Sequence, residues 1–266
     1  MKILFLGAGK MATAIAGGIV RAELFSAAEM GAFDVSADAA EAFTRATGIS
    51  CSTEGLAALA AEAEMLLIAV KPQTLADALS PLKGKLSGKC LLSIVAGMVI
   101  DKIADLTGAE RIIRIMPNTP ALVGCGAAAL APGAGATPGD MELAVKIFSA
   151  VGTAIAVPEK NLDAVTALSG SGPAYVFEFI QALADGGVAA GLSRDTATNL
   201  AVQTVMGAAE MVRTTRLHPA VLKDQVTSPA GTTIAALEVL EERAFSGTII
   251  AAVKAAAKRS EELGKK

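Results

Sequence analysis

Apolar residues along this chain come in two rhythms, and the change from one to the other divides it. Ile3, Leu4, Phe5 and Leu6 follow one another without a polar break, as a strand covered on both faces does, and residues 65–70 repeat the pattern. Shorter or looser apolar pieces at 32–35, 48–52, 89–95 and 109–115 read as further strands, with helical stretches at 11–22, 39–47 and 54–64 between the first of them. This alternation predicts a mostly parallel sheet with helices on both faces. Two more strands, 127–131 and 153–157, flank a Gly- and Pro-rich segment and a helix, and are expected to close the sheet in the antiparallel sense. After Pro158 the strand signals vanish, and helices at 174–183, 194–213 and 232–243, the last long one, are separated by short Gly, Ser or Pro breaks. The expected organisation is a sheet domain over 1–157 and a helical domain over 158–266, strongly polar only at its end, 258–266. The 174–183 helix is apolar almost all round, so it must be covered on every side, and an interface between two chains is expected to do so.

Candidate chemistry sits at the strand ends. Gly7-Ala8-Gly9-Lys10-Met11-Ala12 is a G-x-G-x-x-A turn between the first strand and the first helix. Such a turn lets backbone approach a ligand and aims the positive end of a helix at it, which suits a dinucleotide pyrophosphate. Asp34 ends the second strand 22 residues after Ala12, where a carboxylate accepts hydrogen bonds from a ribose diol and repels a 2′-phosphate. Beside Ser36 and Asp38 it also reads as an ordinary turn acid. Ala69-Val70-Lys71-Pro72, Ala96-Gly97 and the Met116–Pro120 segment with Asn118 close later strands on the same edge, where open α/β sheets bind ligands.

Composition narrows the class. With 266 residues, 53% of them hydrophobic, the chain can bury a sizeable core, and a net charge of −3 leaves no basic excess for nucleic acid. No apolar run is long enough for a membrane span or a signal core, so a cytoplasmic protein acting on a small molecule is expected. Cys51, Cys90 and Cys125 form no C-x-x-C pair and sit among apolar residues, which points to buried free thiols rather than metal ligands. The one histidine, His218, precedes Pro219 in a surface turn and is not read as an acid. Thr227-Ser228-Pro229-Ala230-Gly231-Thr232-Thr233 opens the last long helix, where free N–H groups can hold a carboxylate or simply be capped by Ser and Thr.

GAGKMA, AVKP, MPNTP, SGSGPAY and KDQVTSPAGTT, in this order across the whole chain, resemble the pyrroline-5-carboxylate reductases. The resemblance implies an N-terminal Rossmann-type dinucleotide-binding domain, an all-α C-terminal dimerisation domain, and often larger assemblies of dimers. It implies reduction of the cyclic imine 1-pyrroline-5-carboxylate to L-proline by NADPH or NADH, with Thr233 as the catalytic contact to the ring nitrogen. Val226, Gly231, Thr232 and Glu159 join it on the substrate side, and Gly7 to Met11, Asp34, Ser36, Ala69 to Pro72, Ala96 and Asn118 on the cofactor side. Two features depart from the family: Ala230-Gly231 stands where two glycines are usual, and Asp34 leans to NADH where the habit is NADPH. A β-hydroxyacid dehydrogenase would need a catalytic lysine among the helices, and Lys160, Lys223, Lys254, Lys258, Lys265 and Lys266 sit in none of that family's motifs.

Overall fold

The computed structural model describes residues 1–264; Lys265 and Lys266, the end of the polar tail, lie outside the described residues. β1 (Ile3–Leu6), α1 (Lys10–Arg21), β2 (Met30–Phe33), α2 (Ala37–Thr47), β3 (Cys51–Ser52), α3 (Leu56–Glu62) and β4 (Met65–Ile68) alternate as the apolar pattern requires. α4 (Leu75–Leu79), β5 (Cys90–Ser93), α5 (Ile100–Thr107), β6 (Arg111–Met116), β7 (Gly126–Pro132), α6 (Pro138–Ser149) and β8 (Gly152–Ala156) complete one eight-stranded sheet in the order β3-β2-β1-β4-β5-β6-β7-β8. β1 to β6 are parallel. The link from β6 to β7 is too short for a helical crossover, so β7 reverses; α6 then carries the chain back, and β8 runs parallel to β7. Both closing strands thus run against the rest, as expected.

Alternation within each central strand feeds two cores. Ile3 and Phe5 of β1 meet Ile15 and Ile19 of α1, Phe43 of α2 and Phe148 of α6, while Leu4 and Leu6 meet Leu56, Leu79 and Ile103 from the helices of the other face. The strand order reverses between β1 and β4, and the loops after these two strands therefore diverge into a crevice at their carboxyl ends.

The helical half begins with α7 (Leu162–Val165), then a π-turn over Thr166–Gly170, α8 (Gly172–Ala189), α9 (Arg194–Thr215), α10 (Pro219–Gln225), α11 (Thr232–Glu242) and α12 (Phe245–Gly264). The chain forms two compact units, residues 1–171 with 256 onward, and residues 172–255. These compact units divide after Ser171, because Leu162, fully buried against Ala129 and Ala131 of β7, keeps the 159–170 stretch on the sheet. SGSGPAY does not make the capped helix start that its composition suggests: Ser171 is already helical and Pro173 is the second residue of α8. The helix from Thr232 does end at Arg243, but it is not the last long one. Ala244, at φ 53°, breaks it, and the alanine-rich sequence that follows forms twenty further residues of helix with no strong apolar stripe to announce it. In the second unit α8 packs on α9 through the buried small residues Ala184, Ala197 and Ala201.

Candidate active site

The turn after β1 is shaped by contact with the loop after β4. Gly7 has φ +102°, and a Cβ there would lie 2.8 Å from the Ala69 carbonyl oxygen, so any side chain would push the two loops apart. Gly9 caps α1 without a side-chain hydrogen bond, and space beside its Cα is open. The first amides of a twelve-residue helix consequently face the crevice with no internal acceptor, which is the donor set an anionic pyrophosphate needs. Lys10 is exposed at the helix start, and Met11 packs its side chain on the core.

Asp34 closes the crevice on the β2 side. Its Oδ2 accepts from the Ala8 N–H at 2.8 Å and its Oδ1 from the Ser36 N–H at 2.9 Å, while the Ser36 hydroxyl caps α2 by accepting from the Ala39 N–H. A cavity of about 910 Å³ opens here, lined by Gly7, Gly9, Asp34, Ala69, Val70 and Lys71 together with Glu54 and Asp77. Of the expected cofactor residues, Pro72 and Ala96 line a second cavity of about 760 Å³ in the same unit. The Asn118 side chain is buried: it donates to the Ser169 carbonyl at 3.0 Å and accepts from the Ala127 N–H at 2.8 Å, pinning the end of β6 to β7 and to the π-turn. Glu54 and Asp77 were not legible as site residues, because each lies on an exposed helix-flanking turn or helix face whose charge looks like ordinary surface. The glycine turn, its uncapped helix and the adjoining cavity together fit a dinucleotide.

Glu159, expected on the substrate side, is engaged within the first unit. Its Oε1 accepts from the Ile100 N–H at 2.8 Å, capping α5, and pairs with the buried Arg114 of β6 at 3.1 Å. A guanidinium this deep in a sheet needs a carboxylate partner, and Glu159 provides it.

The turn before α11 gathers Val226, Gly231, Thr232 and Thr233 in the second unit. Val226 ends α10 and is 61% exposed. Thr227 turns its hydroxyl back to the Lys223 carbonyl at 2.7 Å, Ala230 takes a left-handed φ of 54°, and the Gly231 N–H donates to the Ser228 carbonyl at 3.1 Å. The Gly231 amide is therefore spent inside the turn, leaving those of Thr232 and Thr233 for a ligand. No side chain caps α11, neither Ser228 nor Thr232, and the half-buried Thr233 hydroxyl has no hydrogen-bond partner among the described residues. His218 accepts from the Ala220 N–H through Nδ1 at 3.2 Å and caps α10.

Burial pushes the Cys90 thiol up to about 12 and the Cys51 thiol up to about 11, so both stay protonated and unreactive near neutrality. Cys90 is buried as expected, but Cys51 is only half-buried and Cys125 is exposed at the turn into β7, against the expectation that all three thiols are buried.

Residues 159–263 match the pyrroline-5-carboxylate reductase dimerisation family, and residues 2–97 the family described as NADP oxidoreductase coenzyme F420-dependent. The chain is 47% identical to a pyrroline-5-carboxylate reductase of Methanosarcina acetivorans, across 100% of this chain and 98% of that one. A solved pyrroline-5-carboxylate reductase from Coxiella burnetii superposes with a TM-score of 0.93 at 34% identity, covering 98% of each chain. The Plasmodium falciparum pyrroline carboxylate reductase solved with NADP bound gives 0.88 at 35% identity, over 99% of this chain and 98% of that one. With near-complete coverage at such identities, and with the glycine turn and the uncapped α11 start both formed, this chain belongs to the pyrroline-5-carboxylate reductase family.

Proposed function

We propose that the protein reduces 1-pyrroline-5-carboxylate to L-proline, taking a hydride from a nicotinamide dinucleotide. The observation that carries the reading is the start of α11, an eleven-residue helix whose first amides lack a side-chain cap and whose Thr233 hydroxyl is unpartnered, in a chain of this family. Gly7 to Met11 would hold the pyrophosphate, Asp34 and Ser36 the adenosine ribose, and Ala69 to Pro72 with Ala96 the rest of the dinucleotide. When bound, that cofactor supplies the hydride.

A cyclic imine enters protonated at nitrogen, so its carbon already accepts hydride and no strong acid is needed. This accounts for a site without a histidine, since the single imidazole is used as a helix cap. The protein's part is orientation. The Thr232 and Thr233 amides and the helix dipole hold the substrate carboxylate, and the Thr233 hydroxyl fixes the ring nitrogen. Val226 adds apolar contact beside them. Glu159, as the partner of Arg114, would act on the substrate side only through its second oxygen.

The dimerisation-family match and the apolar residues that α8, α9 and α12 leave open support a homodimer, with larger assemblies built from it. No helix among the described residues is long and apolar enough to cross a membrane, which is in keeping with a cytoplasmic enzyme. Following NADH and NADPH oxidation with 1-pyrroline-5-carboxylate beside a panel of 2- and 3-hydroxy acids tests the reading. Turnover is expected with the imine alone, and its absence with both cofactors would refute the assignment.

A further inference from the structure

The adenosine end of a nicotinamide dinucleotide carries either a free ribose diol or a 2′-phosphate, and the residues after β2 must accept one or the other. In this chain two backbone donors converge there, the Ala8 N–H of the glycine turn and the Ser36 N–H at the start of α2, and both are already occupied by the Asp34 carboxylate at 2.8 and 2.9 Å. We infer that Asp34 is a resident anion on these two amides, making the protein selective for the unphosphorylated dinucleotide; the inference rests on the reductase reading above. Each carboxylate oxygen uses one lone-pair direction on an amide and keeps another, so the pair can still accept both hydroxyls of a ribose diol. A 2′-phosphate has no such fit. It would compete with Asp34 for donors that Asp34 holds without any cost of association, and it would bring its own negative charge against a carboxylate.

The rest of the cavity acts in the same direction. Glu54 and Asp77 line it with Asp34, and Lys71 is the one cation among its lining residues. Lys71 follows β4, across the crevice from β2, so among the cavity's lining residues no guanidinium or ammonium stands on the β2 side to neutralise a phosphate. The Plasmodium falciparum relative was solved with NADP.

Two measurements on the full-length protein test it. With 1-pyrroline-5-carboxylate, kcat/KM should favour NADH over NADPH by about 10-fold or more, and Asp34→Ser, which removes the charge and frees the amides, should move that ratio about 100-fold toward NADPH. By calorimetry, 5′-AMP should bind the wild-type protein more tightly than adenosine 2′,5′-bisphosphate, with the order reversed in Asp34→Ser. A wild-type preference for NADPH overturns the inference. So does a folded Asp34→Ser protein that loses both cofactors equally, which would make Asp34 only a latch between two loops. Should the variant not fold, the two adenosine fragments on the wild type decide alone, and equal or tighter binding of the bisphosphate is the refuting result. Failure of imine turnover with both cofactors would refute the reductase reading instead, and the fragment comparison would still judge Asp34.

Discussion

Ala230 and Gly231 sit side by side in the turn before α11. A left-handed φ of 54° costs a residue with a Cβ about 1–2 kcal/mol, so Ala230 carries strain that a glycine would not. Gly231 has an extended backbone, and a Cβ there would meet the Ser228 hydroxyl, which would have to rotate away. The turn thus carries a small strain at 230, with Thr233 on the first turn of the helix beyond. Thr233→Ala removes one hydrogen bond to a charged or partly charged group, about 1.5–3 kcal/mol, and kcat/KM for the imine should fall about 10- to 150-fold. Because the hydroxyl has no partner within the described protein, the melting temperature should change little. Near-normal turnover with a melting point several degrees lower would assign Thr233 to the fold instead.

Between elements, a two-pronged ion pair joins β6 to α6. Arg111 grips both oxygens of Asp140, through Nε at 3.0 Å and through a second guanidinium nitrogen, and reaches the Gly88 carbonyl at 2.7 Å. Asp140 also closes the capping box of α6 with Thr137. The Arg111 hydrogen bonds, followed by those from Thr137, hold the Asp140 carboxyl down at about 2 against burial, which acts the other way. A pKa depressed by folding stabilises the native state fully above the unfolded value near 4, and this stabilisation is lost as pH falls toward 2. Asp140→Asn should cost about 2–3 kcal/mol at pH 7, and the gap to wild type should narrow as the pH drops from about 4 to about 2. Urea melts at pH 7, 4 and 2.5 check this, and a gap independent of pH would show that shape rather than charge makes the contact.

For the whole molecule, the second unit buries little of its own apolar surface. Phe177 of α8 is 64% exposed, Met206 of α9 60% and Ile250 of α12 58%, while the buried residues joining α8 to α9 are alanines. Apolar area left in water costs about 25 cal/mol per Å², so helices like these are stable only when covered. Sedimentation at low micromolar concentration should show a dimer or a multiple of one, and Phe177→Glu should shift it toward monomer or aggregate. A folded wild-type monomer that persists on dilution would contradict the reading of these helices as an interface.

By itself the sequence determined whatever depends on local pattern and chain length. Four successive apolar residues make β1 a buried strand, Gly7 is needed where the chain bends sharply, and a link too short for a crossover forces β7 to reverse. The belonging of SGSGPAY and VTSPAGTT to one family was legible in the same way. Only the tertiary structure decided which polar groups are free for ligands. Asn118 was paired with Ser169 and Ala127, Glu159 was claimed by Arg114 and the Ile100 amide, and Asp34 was found on Ala8, partners that lie 9 to 59 residues away along the chain. Nothing in periodicity records such a pairing, because a donor and an acceptor far apart in sequence meet only when the sheet order and the packing of its helices bring their backbones together. The same holds for exposure, which left Cys125 in water and Cys90 in the core though both stand among apolar neighbours in the sequence.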